Sequence, residues 1–139
     1  MLSALDLARR IAAGDLTPRH VVDLCADAIA TRENEIGAFA ALNLEHARRA
    51  AETPDLAAQP LAGLPVGIKD IFDTSDLPTT YGSPIYAGHR PKSDAAMVML
   101  VRRAGGLIAG KTVTAEFASR ESAPTRNPRN VVHLSLIHI

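Results

Sequence analysis

Two short apolar runs, residues 66–68 and 107–110, most constrain how this chain folds, because each is bracketed by glycine or proline and too short for a helix. Both read as buried strands. Between them lie an irregular segment, residues 73–92, and then a stretch of helical period. Ser93 or Asp94 opens that helix, Met97, Leu100, Val101 and Ala104 form its apolar face, and Gly105-Gly106 closes it. Strand, helix, strand is the signature of a crossover between parallel strands. The expected fold class is therefore α/β, a mixed central sheet flanked by helices.

The first sixty residues read differently. Ser3 and Asp6 form a capping pair ahead of a short helix carrying Leu5, Ala8, Ile11 and Ala12, and Gly14 closes it. Thr17-Pro18 fits the cap and first turn of a second helix, with Val21, Leu24, Cys25, Ala28 and Ile29 as its apolar stripe. On that stripe Cys25 reads as a small packed hydrophobe, not a reactive thiol. Gly37 ends the helix. Residues 38–42 read as a short strand, with helix as the competing assignment, Asn43 caps a third helix, and residues 54–60 form a connector.

The chain has 139 residues with 15 Lys+Arg and 15 Asp+Glu, a net charge of zero that gives no electrostatic argument for nucleic acid or an anionic membrane. One cysteine excludes an intrachain disulfide, and the chain does not open on a long apolar segment. A reducing cytoplasm is the expected compartment. Five histidines show no helical ligand pair, so no metal or other cofactor is expected. No Gly-x-Ser-x-Gly elbow is present either.

Chemistry centres on Gly63-Leu64-Pro65-Val66-Gly67-Ile68-Lys69-Asp70, which delivers a lysine at the carboxyl end of a strand, where α/β sheets place ligands. Burial disfavours the ammonium form, so a desolvated Lys69 is a candidate base. Read in isolation, Lys69-Asp70 is a solvated ion pair worth little. A second lysine closes a deceptive motif. Gly105, four intervening residues, Gly110, Lys111 and Thr112 satisfy the phosphate-loop pattern, yet a helix precedes it and Leu107, Ile108 and Ala109 fit a buried strand better than a phosphate cradle.

The ordered set of residues 64–73, Gly82-Ser83, Asp94-Ala95-Ala96, Gly110-Lys111-Thr112 and Glu116-Phe117-Ala118 resembles the amidase signature family from about Gly63 to Asn130. The resemblance implies hydrolysis of carbon–nitrogen amide bonds by a serine nucleophile, a second serine in a cis-peptide setting, and a lysine that matches Lys69. Neutral Lys69 would take a proton from the bridging serine, and backbone amides of a glycine- and serine-rich segment would hold the oxyanion. It divides the chain into a helical region, 1–60, the first part of an amidase α/β core, 61–130, and a divergent tail, 131–139.

Where the family would read a glycine- and serine-rich run, this sequence has Leu134-Ser135-Leu136-Ile137-His138-Ile139. The expectation is a truncation, frame change or sequence artefact. Ser135, among bulky apolar neighbours, is not a candidate nucleophile. Both catalytic serines are then absent, the fragment alone is expected to be inactive, and its incomplete sheet exposes edges that favour association into a homo-oligomer. The expected partner of the full-length parent is a small-molecule amide. Two alternatives stand beside this reading: the glutaminase component of a glutamyl-tRNA(Gln) amidotransferase, and a non-catalytic interaction fragment.

Overall fold

Helix α1, Ala4–Ala12, begins with a reciprocal cap in which the Ser3 hydroxyl accepts from the Asp6 amide and the Asp6 carboxylate accepts from the Ser3 amide. The computed structural model describes residues 2–119 and 123–133. Thr17 caps α2, Pro18–Ile36, through the His20 amide, with Pro18 in its first turn and Gly37 ending it at a left-handed φ of 58°. Strand β1 is Phe39–Leu42 and helix α3 is Leu44–Ala50. Asn43 does not cap α3 through its side chain; its amide nitrogen donates to Asp76 instead.

Strand β2, Pro65–Lys69, and strand β3, Leu107–Thr112, pair in parallel, and β1 runs antiparallel to β3 on its other side. The order is β1-β3-β2, a three-stranded mixed sheet flanked by helices, as the α/β reading predicts. Helix α4, Ala96–Arg103, is the crossover. From residue 73 to residue 92 the only helical element is one 3-10 turn, Pro84–Tyr86.

One face of the sheet packs Ile68 and Ile108 against Leu77 and Val98, while Leu107 joins Val22, Ala47, Ala51 and Leu56 beneath α2 and α3. Two expected helix faces are rotated from their predicted positions. On α2 the buried residues are Val21, Val22, Ala26 and Ile36, whereas Leu24 and Ala28 are exposed and Cys25 is half-buried. On α4, Val98 is buried and Met97 and Leu100 are exposed. Both helices are apolar on more than one side, so periodicity alone permits several faces and the neighbouring elements choose one. Asp94 does not cap α4 either; Ala95 occupies that position. Its carboxylate is drawn away to Ser75 and Arg102.

The glycines of the deceptive phosphate motif serve packing. A Cβ on Gly105 would lie 2.5 Å from the Gln59 side chain, and one on Gly110 would lie 3.0 Å from the Phe39 ring. Residues 107–111 are buried strand, so the amides that would cradle phosphate are committed to the sheet.

Candidate active site

Strands β2 and β3 end side by side, with Lys69 opposite Thr112. The Asp70 amide donates to the Thr112 carbonyl at 2.8 Å, and the chain then turns back so that the Phe72 amide reaches the Lys69 carbonyl at 3.0 Å. Alternation along the strand puts Ile68 and Asp70 inside and Lys69 on the opposite, open face. Lys69 is exposed, and its amine has no hydrogen bond or ion pair among the described residues. The expected desolvation of Lys69 is therefore not found in this chain. Gly67, on the same face, is also exposed, with the Thr112 and Phe39 side chains beside it.

The buried amine is that of Lys111, whose side chain is 0 % exposed. Its ammonium lies 2.9 Å from Asp70 Oδ1, donates to Thr79 Oγ1 at 2.6 Å, and reaches the Pro78 carbonyl at 3.4 Å. Two neutral oxygens thus accept from the ammonium, and the Asp70 carboxylate pairs with its charge. Asp70 Oδ1 receives no hydrogen bond among the described residues, and the ammonium beside it is its compensation. The other oxygen, Oδ2, accepts from the Thr80 amide at 3.1 Å and the Thr80 hydroxyl at 2.6 Å. The sequence signal for this pair was present but indirect: Lys111 extends a buried run without a polar break, next to last in the strand beside the one that leads into Asp70.

Around this node the loops after β2 and β3 interlock. The Tyr81 amide donates to the Asp70 carbonyl, the Phe117 amide to the Tyr81 carbonyl, and the Ser83 hydroxyl to Glu116 at 2.6 Å. Tyr81 and Phe117 both take left-handed backbone conformations, φ 53° and 48°, a strain the surrounding bonds must hold. Their rings meet Tyr86, Tyr81 at 4.9 Å and Phe117 at 6.0 Å, both edge to face. The Tyr81 hydroxyl is pushed up to about 12 by its hydrogen bond to Asp73, with burial adding to the effect. Tyr81 and Tyr86 thus anchor the irregular segment.

Burial pushes the Cys25 thiol up, away from the thiolate. The hydroxyls of Ser3, Ser75 and Ser83 each donate to a carboxylate, those of Asp6, Asp94 and Glu116. Ser135 lies outside the described residues. Among the described residues no group of three His, Cys, Asp or Glu side chains can hold a metal ion, and no helix is long and apolar enough to cross a membrane.

The chain as a whole has close counterparts among known proteins. The profile of the family described as Amidase matches residues 20–134. The chain belongs to the amidase signature family. It is 41% identical over 141 residues to a glutamyl-tRNA(Gln) amidotransferase subunit from Mycolicibacterium paratuberculosis, a match covering 92% of the chain and 29% of that protein. The corresponding protein of Mycolicibacterium vanbaalenii is 40% identical over 147 residues, covering 94% and 30%. Among solved structures, one from a vestigial protein complex bearing on the origins of an s-triazine catabolic enzyme superposes with a TM-score of 0.88 at 28% identity, covering 96% of this chain and 32% of that one. The peptide amidase of Stenotrophomonas maltophilia gives 0.82 at 27%, covering 94% and 31%. This amidase-family chain spans less than a third of the length of each of these relatives.

Proposed function

We propose that this chain is the lysine-bearing segment of an amide-cleaving enzyme akin to the matched subunit of the glutamyl-tRNA(Gln) amidotransferases, with Lys69 as its proton-relay base. The observation that carries the reading is the position of Lys69 at the carboxyl end of β2 in a fold shared with amidases, its carbonyl bonded by the Phe72 amide and the next amide bonded to Thr112. The sequence relatives favour the amidotransferase over a free-standing amidase, because matches at 40% and 41% identity are to amidotransferase proteins while the solved peptide amidase is at 27%.

In this mechanism Lys69, neutral, takes a proton from a bridging serine, which deprotonates the nucleophilic serine; the same relay returns the proton to the departing ammonia. The desolvation Lys69 needs comes from chain beyond the described residues. A second reading, hydrolysis of a small free amide, draws on the superposition with the peptide amidase.

A chimera tests the first reading. This chain replaces the matching segment of the Mycolicibacterium paratuberculosis protein, and ammonia release from glutamine is followed with and without Lys69→Ala. Release that depends on Lys69 supports the proposal, and undiminished release by the Lys69→Ala form overturns it. Hydrolysis of simple amides but not of glutamine selects the second reading.

A further inference from the structure

Lys111 is the largest fully buried side chain of the described residues, and the relay just proposed makes no use of it. We propose that Lys111 is a positioning residue for Lys69, acting through Asp70; this rests on the reading of Lys69 as a base.

The geometry runs through the residue next to Lys69. Asp70 is held at four points: its amide by Thr112, its carbonyl by Tyr81, one carboxylate oxygen by Thr80, and the other by Lys111. Two of those points involve β3, Thr112 through the main chain and Lys111 through its side chain. The Lys111 ammonium also ties in Thr79 and Pro78, so one buried cation fixes both the strand end and the loop that returns beside it. Because Asp70 is locked on the inner face, strand alternation aims Lys69 at the outer one. Losing the cation leaves a buried carboxylate without compensation, and Asp70 is then driven toward water. A swing of Asp70 rotates the strand end that carries Lys69.

A bridging proton transfer tolerates little of this, since a displacement of about 1 Å costs on the order of 100-fold in rate. The role differs from fold stability alone in what it moves. If Lys69 loses its fixed setting it becomes more solvated, its charged form is favoured, and the acid limb of the rate profile shifts to higher pH.

The same chimera provides the test, carrying Lys69→Ala, Lys111→Met, or Lys111→Met together with Asp70→Asn, the last removing both buried charges so that neither is stranded. Thr79→Val, which removes one acceptor and no charge, is the mildest form. For every form that melts cooperatively, the expected result is a kcat lowered by about 100-fold in Lys111→Met, with KM nearly unchanged and an acid limb moved to higher pH, and a smaller change of the same sign in the double variant, which loses the anchor without stranding a charge. Thr79→Val moves both in the same direction and by less. Folded Lys111 variants, or a folded Thr79→Val, that keep kcat and the limb in place overturn the inference while leaving Lys69 as base. Activity that survives Lys69→Ala overturns the base reading and this inference with it.

Discussion

Replacing Gly82 by alanine tests whether the two loops beside Lys69 truly form one unit. Gly82 sits at φ +70°, and a Cβ there would lie 2.6 Å from the Thr114 carbonyl oxygen and 2.9 Å from both the carbon and the oxygen of the Ala115 carbonyl. An ordinary C···O approach is about 3.3 Å, so the two backbones must part by roughly 0.7 Å. No flexible side chain stands in the way to absorb that shift. The left-handed conformation costs alanine about 1–2 kcal/mol, and overpacking against main chain adds about 1–3 kcal/mol. A total of about 2–5 kcal/mol is a large part of the roughly 5–15 kcal/mol that holds a domain together.

Gly88 supplies the internal control. Its φ is +79°, and a Cβ there would meet nothing within 4 Å, so Gly88→Ala carries the conformational cost without the collision. Urea unfolding of both variants, monitored by circular dichroism, isolates the contact between the loops as a difference of about 1–3 kcal/mol. Amide exchange adds a local readout: the Phe117 amide, bonded to the Tyr81 carbonyl at 2.8 Å, loses protection in Gly82→Ala and keeps it in Gly88→Ala. If Gly82→Ala is no less stable than Gly88→Ala, the loops are not mechanically joined and the interlock described above is wrong.

Four further outcomes are expected. Lys69→Ala changes the unfolding free energy of this chain by less than about 0.5 kcal/mol, since its side chain is exposed, while Lys111→Met costs about 3–5 kcal/mol by stranding Asp70; equal losses in urea titrations would contradict the assignment of the buried amine. Asp94 is held below the usual carboxylate range, because although burial works against its charge, the hydrogen bonds from Ser75 and the Arg102 guanidinium outweigh it. Its contribution to stability is present above about pH 4 and is lost as pH falls through the lowered value, so Asp94→Asn flattens the acid side of a stability profile. The Tyr81 hydroxyl titrates near 12, above an ordinary tyrosine, so stability falls as pH rises from about 10 through that value; Tyr81→Phe removes this dependence in an ultraviolet titration. Magnesium-ATP does not shift the melting temperature, because Lys111 is committed to Asp70 and Thr79; a saturable rise would restore the phosphate-loop reading.

Capping chemistry and strand length lay open in the amino-acid order. Ser3, Thr17 and Gly37 set helix ends through bonds to residues three or four positions away, Pro18 does so through its fixed φ, and the runs at 66–68 and 107–110 are too short to be anything but strand in this setting. Both kinds of signal are local, so the βαβ unit and the place of Lys69 at a strand end could be read directly. The family resemblance rested on the same residues.

Burial was another matter, because it is a property of neighbours that the chain brings together from a distance. Val22 rather than Leu24 faces the core of α2 because α3 and β3 cover one side of that helix, and Val98 rather than Leu100 faces the sheet for the same kind of reason. The decisive case is the pair of lysines. Each lies in the last two positions of its strand, but alternation and the loop at residues 78–80 put Lys111 against Asp70 in the interior and leave Lys69 on the open face. Charge on a residue is written in its letter, whereas the dielectric around it is made by the packed structure, and that is why tertiary contacts alone decided which amine is desolvated.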